Sequence, residues 1–279
     1  MEQIPYDYYN DAGYVPFPYD AAFIQEFLDF MDKTKSKKLA VIIDIPQHFE
    51  KVVSEHLLDI EELELNIGSS PCDWSAIKKF SKLKKLHIKS HEFIADEIDF
   101  DWFPRLVWYA GPFGSNLKNL ENSKVEEIYL TKDASCKITD FKAHKLPPTV
   151  KKLVLSYLAL QSFAGIPKSV ENLECYVLRS LKDISDLAFT KNINTIWLKQ
   201  VNLSNDMFPP INSLTFLRIG NTKIDSIKFI EQLPNLKNLY LPPKILDNDL
   251  TCLKGRKWEL IQFKDNPAYN VKLKDLERQ

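Results

Sequence analysis

Few side chains in this 279-residue chain are spaced for chemistry. The five histidines stand at positions 48, 56, 87, 91 and 144. His87 and His91 have the four-residue spacing of helical metal ligands, but they fall at the end of a predicted strand, where residues four apart lie about 13 Å from one another. The four cysteines, Cys72, Cys136, Cys175 and Cys252, form no C-x-x-C pair and read as reduced structural thiols rather than as zinc ligands or a disulfide framework. Asp247-Asn248-Asp249 is rich in oxygen, and turn formation accounts for it more simply than cation binding. Only seven glycines are present, with no G-x-G-x-x-G and no G-K-[ST], so no phosphate-binding loop is expected. No nucleophile and base can be nominated without a fold-specific motif. The inventory predicts no catalytic residues, no metal and no cofactor, and a protein that is not an enzyme.

Composition narrows the partners. The 37 basic and 38 acidic residues leave a net charge of -1, which lacks the footprint of a nucleic-acid binder. The start, MEQIPYDYYND, is acidic and tyrosine-rich where a secretory leader would be basic and then apolar, and LAVIIDI is too short to span a bilayer. The expectation is a cytoplasmic protein with no membrane segment. At 44% hydrophobic residues the chain can fill a large core.

The elements that would organise this core repeat. An apolar residue followed by others three and five places on begins at Leu39, Ile60, Leu83, Phe103, Val125, Val150, Val170, Ile193, Leu214, Leu236 and Trp258, at steps of 20 to 25 residues. Only the first is imperfect, with Asp44 in its last slot. Such a period marks a stacked array. A strand and a turn enclose almost nothing alone, so each repeat must be buried by its neighbours.

The stretches LPNLKNLYL, LPPTVKKLVL and IPKSVENLECYVL resemble the leucine-rich repeat family, the last two its variant with a proline ahead of the strand. The likeness covers about Leu39 to Phe263. It implies an α/β fold, a right-handed solenoid with a concave parallel β-sheet of about 10–11 strands and an irregular convex side of short helices and turns. The family often places Asn eight residues after the first leucine. Here that slot holds residues such as Leu158, Leu178, Val201 and Thr222, and only the last repeat, with Asn266, matches.

The expected organisation is an N-terminal segment and capping helix over 1–38, the solenoid over 39–266, and a C-terminal cap or tail over 267–279. Asp20 should cap a helix whose face is Phe23, Phe27, Phe30 and Met31. A return helix is expected within 47–60. The proline-rich first twenty residues should drape over the array or stay mobile.

On each strand, residues flanking the inward pair point to the open face. In the second half these include Glu174, Trp197, Arg218 and Tyr240 in one column, with Tyr176, Phe216 and Lys199 beside it and Tyr129 further back. The same register turns Arg105, Val107 and Tyr109 outward. Aromatics and arginine on a face that folding does not require to be apolar are the residue types of interface hot spots. Basic residues outnumber acidic ones over these positions, which suggests a partner with an acidic patch. The expected function is a non-catalytic scaffold that binds a protein on its concave face, such as an immunity or antitoxin-type protein neutralising a toxin. The alternative is a secreted or injected bacterial effector that binds host proteins.

Overall fold

The computed structural model describes residues 13–43, 48–67, 74–90, 97–114, 117–132, 138–202, 204, 207–222 and 224–276. It is a mixed α/β architecture dominated by parallel strands. These are β1 (Val15–Pro16), β2 (Lys38–Ile43), β3 (Glu62–Ile67), β4 (Lys85–Ser90), β5 (Ile98–Asp99), β6 (Trp108–Phe113), β7 (Leu117–Lys118), β8 (Glu127–Lys132), β9 (Lys152–Ser156), β10 (Asn172–Tyr176), β11 (Thr195–Lys199), β12 (Phe216–Gly220), β13 (Asn238–Tyr240) and β14 (Leu260–Gln262). Twelve of them form one sheet in chain order, and β5 pairs with β7 separately. The chain divides into two compact units, one reaching to Glu127 and the other taking Ile128–Lys132 and the described residues from 138 on.

In the N-terminal unit, Leu39 is level with Leu63 on β3, and Leu63 with Leu86 on β4. Leu39, Val41, Leu63, Leu65, Leu86 and Ile88 are all buried. Helix α1 (Ile24–Thr34) follows a single helical turn, Ala21–Phe23, whose first residues are capped by Asp20 accepting from the Ala22 amide at 2.9 Å. Its buried side is Phe27 and Met31, while Phe23 is exposed and Phe30 half-buried, so the packed stripe is narrower than the four expected residues. Helix α2 (Phe49–His56) buries Phe49, Val52 and Val53, and Leu57 follows them inward while His56 stays outside.

The N-terminal unit departs from expectation in its strand count and in its register. Part of the proline-rich start is a strand: Val15 and Pro16 pair in parallel with Leu39 and Ala40, and Phe17 packs against Phe27 and Phe49 at 5.3 and 4.8 Å between ring centres. This adds a twelfth strand to the anticipated 10–11. The register of β6 also differs. Trp108 is level with Lys85 and Tyr109 with Leu86, so Tyr109, expected on the open face, is fully buried. The inward series is Leu106, Tyr109 and Gly111, three residues later than the pattern beginning at Phe103. Gly111 has no side chain because the space is taken: a Cβ there would lie 2.6 Å from the Tyr109 hydroxyl, which donates to the Pro112 carbonyl at 3.0 Å. The first repeat slips by three in the opposite direction, with Leu39 rather than Ile42 level with Leu63, so its first inward slot is Ser36.

In the C-terminal unit the pattern holds. Val170, Leu173 and Cys175, then Ile193, Ile196 and Leu198, then Leu214, Leu217 and Ile219 are all buried. On β10, β11 and β12 they alternate with half-buried or exposed neighbours. The registers Leu173↔Ile196, Ile196↔Leu217 and Leu217↔Leu239 stack these residues in columns. Return segments are single helical turns, Ser185–Phe189, Lys228–Gln232 and Thr251–Leu253. The short α3 (Leu273–Leu276) closes the described chain, with Val271 and Leu276 buried and the Lys272 ammonium donating to the carbonyls of Asn266, Pro267 and Tyr269.

Four strands of the C-terminal unit are followed by the same kind of turn. The residues directly after β9, β10, β11 and β12 are Tyr157, Val177, Gln200 and Asn221, all left-handed with φ between 50° and 60°. Each of the first three donates its amide to a carbonyl at the end of the next strand, Tyr176, Lys199 and Gly220, at 2.9–3.1 Å. The kink then drives Leu158, Leu178 and Val201 into the core. A left-handed β-branched residue is strained by about 1–2 kcal/mol. Val177→Asn is therefore expected to stabilise the protein by about 1 kcal/mol in denaturant melts. Gly165→Ala should destabilise it by about 2 kcal/mol or more, because φ is +82° and a Cβ would lie 2.9 Å from the Phe141 carbonyl carbon.

Candidate functional site

The inward columns of the C-terminal unit leave one side of its strands to residues that folding does not need. Register carries Glu174 on β10 to Trp197 on β11, Trp197 to Arg218 on β12, and Arg218 to Tyr240 on β13. Adjacent parallel strands are about 4.8 Å apart, so these side chains lie side by side. The Arg218 guanidinium lies over the Trp197 ring at 4.4 Å and over the Tyr240 ring at 5.3 Å. Tyr176 meets Trp197 edge-on at 5.4 Å, and Phe216 lies 5.6 Å from Tyr240. Six of the predicted residues thus form one continuous surface of four aromatic rings, the Arg218 cation and the Glu174 carboxylate.

The other two are peripheral. Tyr129 stands on β8 and takes the Lys152 ammonium over its ring at 5.3 Å. Lys199 is level with Tyr176 on one side and Gly220 on the other. Lys152, not singled out from sequence, joins Tyr129 to the column: it also forms an ion pair with Glu174 at 3.4 Å. Hydrogen bonding to Tyr129 raises its pKa against the opposing effect of burial, and Glu174 adds to the rise.

Electrostatics divide this surface. Glu174 is engaged by Lys152 and by the Tyr176 hydroxyl, which donates to its Oε2 at 2.7 Å. Burial pushes the Tyr176 phenol well above the ordinary tyrosine range, the hydrogen bond to Glu174 and its charge push it further, and Arg218 pulls slightly back. From β11 to β14 the outward residues carry no carboxylate. Among the described residues, Arg218 and Lys264 form no ion pair and no hydrogen bond to a protein acceptor. Beyond the column, Arg218, Gly220, Tyr240, Pro242, Phe263 and Lys264 line a cleft of about 350 Å³. Gly220, Pro242 and Lys264 were legible as outward positions, but nothing in their types marked a cleft.

The indole nitrogen of Trp197 is buried and has no hydrogen-bond partner among the described residues. An unpaired buried donor costs about 1–3 kcal/mol. The fold thus makes no use of the polar end of this tryptophan.

The N-terminal unit presents a different surface. There Glu62 pairs with Lys38 and Lys85 at 3.2 and 3.4 Å, and Glu64, nearly buried, pairs with His87 and Lys89 at 3.3 and 2.8 Å. Burial holds the His87 imidazole below its usual range, with the Glu64 charge working against that. Opposite charges on this surface satisfy one another. His91 lies outside the described residues, so the pair it makes with His87 in sequence has no geometry here; among the described residues no group of three or more His, Cys, Asp and Glu side chains is placed to hold a metal ion. In the C-terminal unit the Asp249 carboxylate accepts from the Thr251 hydroxyl and amide and from Asn270, contacts that lower its pKa to about 2 and belong to a turn.

Compared with known proteins, the chain matches no family model and no curated protein. Among the described residues no helix is long and apolar enough to cross a membrane.

The Tyr176–Glu174 contact has a pH signature. A phenol whose folded pKa exceeds its unfolded one contributes stability below pH 10 that is lost as pH rises through the folded value. Glu174→Gln removes the charge that opposes ionisation. The Tyr176 ring resonance, followed by NMR of carbon-labelled tyrosine, should titrate at lower pH in this variant than in the parent.

Proposed function

We propose that the chain is a leucine-rich-repeat-like right-handed solenoid, acting as a non-catalytic, cytoplasmic scaffold that holds a protein partner on the concave side of its sheet. One observation carries this reading: the Arg218 guanidinium is clasped between Trp197 and Tyr240 on the side of the strands that the core leaves unused. Trp, Tyr and Arg together, half-exposed and fixed by a rigid sheet, are the residues that dominate binding energy in protein interfaces. Holding them in place before the partner arrives lowers the ordering cost of association.

The specific form we put forward is an immunity or antitoxin-type role, in which the partner is a toxin covered at its active site. The cations from β11 to β14 that have no carboxylate partner among the described residues support a partner with an acidic patch. Fold alone does not choose among the roles that such scaffolds play, so the site carries the reading.

Purifying the tagged protein from its native cell and identifying its companion by mass spectrometry supplies the partner. Trp197→Ala with Tyr240→Ala is then expected to weaken the complex by about 2 kcal/mol or more, roughly 30-fold in Kd, by calorimetry. Unchanged affinity in a folded double variant rejects the site.

A further inference from the structure

The cleft beside the aromatic column has chemistry of its own. The Arg218 guanidinium lies over two rings, Trp197 at 4.4 Å and Tyr240 at 5.3 Å, and among the described residues its N–H groups have no protein acceptor. A guanidinium fork matches a carboxylate in bidentate fashion, and stacking pre-orients it. Lys264 lines the same cleft, with Phe263 and Pro242 buried as its apolar floor. Gly220, two residues after Arg218 on the same side of β12, leaves room: a Cβ built there meets nothing within 4 Å. Glu259, the nearest carboxylate in sequence to β14, is engaged elsewhere, accepting from Lys237 and Asn238.

We infer that this cleft is a carboxylate-recognition site for an acidic segment of a partner protein, with an Asp or Glu side chain seated on Arg218 and Lys264 and an adjoining apolar residue over Pro242 and Phe263. The inference rests on the docking reading above and deepens it, assigning the chemistry of the segment that enters. Charge selects this occupant: two cations that have no carboxylate partner among the described residues line a cleft whose lining contains no acid. An acidic group is attracted there, and a basic one is repelled. The glycine acts as a specificity element, because any larger side chain at 220 would fill the space the ligand occupies.

The test uses the intact chain and random twelve-residue peptides displayed on phage. Selected peptides are expected to share an Asp or Glu next to an apolar residue. A synthetic copy of one should bind at least tenfold more weakly to Arg218→Gln and to Gly220→Leu, and equally well to Lys237→Gln, whose lysine is already held by Glu259. Its affinity should also fall as salt rises. Gly220→Leu is the control for folding: it adds a side chain to open space on a strand, so its melting temperature should stay at or above the parent's. Selected peptides that lack acidic residues, depend on Trp197 and Tyr240 and tolerate Arg218→Gln overturn the carboxylate site while leaving the docking face standing. Peptides indifferent to Trp197, Tyr240 and Arg218 alike overturn both.

Discussion

Everything in this protein depends on sideways burial. A stretch of about 22 residues that forms one short strand and one turn cannot bury its own leucines, so it is stable only where the next stretch lies against it in the same register. The pairings Leu173↔Ile196↔Leu217↔Leu239 express that constraint in the C-terminal unit, where each of these side chains is fully shielded from solvent. Register also dictates what happens on the other side of the same strands. Because side chains alternate, locking one set of columns into the core locks the intervening residues into columns of their own. Trp197, Arg218 and Tyr240 are aligned because the leucines and isoleucines beside them are.

The constraint also explains the turns. After β9, β10 and β11 the chain bends through a left-handed residue whose amide reaches the end of the neighbouring strand. Strain at a valine or tyrosine is tolerated because the bend delivers a leucine or valine to the interior one residue later. Packing between neighbours outweighs local backbone preference, as in any array whose stability lies in its interfaces.

Legibility followed the same physics. The period and the inward columns could be read wherever all three inward slots are apolar, and the aromatic column followed from them by alternation. Two repeats misled the reading for one reason. Gly111 occupies an inward slot with no side chain because the Tyr109 hydroxyl fills the space, and the repeat containing Leu39 has Ser36 where its first apolar residue should be, so the pattern locked three residues out of register in both. Tyr109 was therefore placed on the wrong side. The left-handed turns left no trace, since Tyr157, Val177 and Gln200 are not residues that announce a positive φ. Val15–Pro16 escaped notice because two residues carry no periodicity. At the site, side-chain type and alternation named the column. The stacking of Arg218 between two rings and the cleft beside Gly220 arise from three-dimensional spacing between strands, which no single stretch of sequence contains.

The central claim is that register alone gathers the proposed binding surface, and NMR contacts between backbone protons of adjacent strands measure it directly. The account predicts an unbroken ladder of amide to alpha-proton contacts running from Glu174 to Trp197 to Arg218 to Tyr240. A ladder displaced by one residue at any step would turn part of the column into the core, and would contradict both the fold and the site.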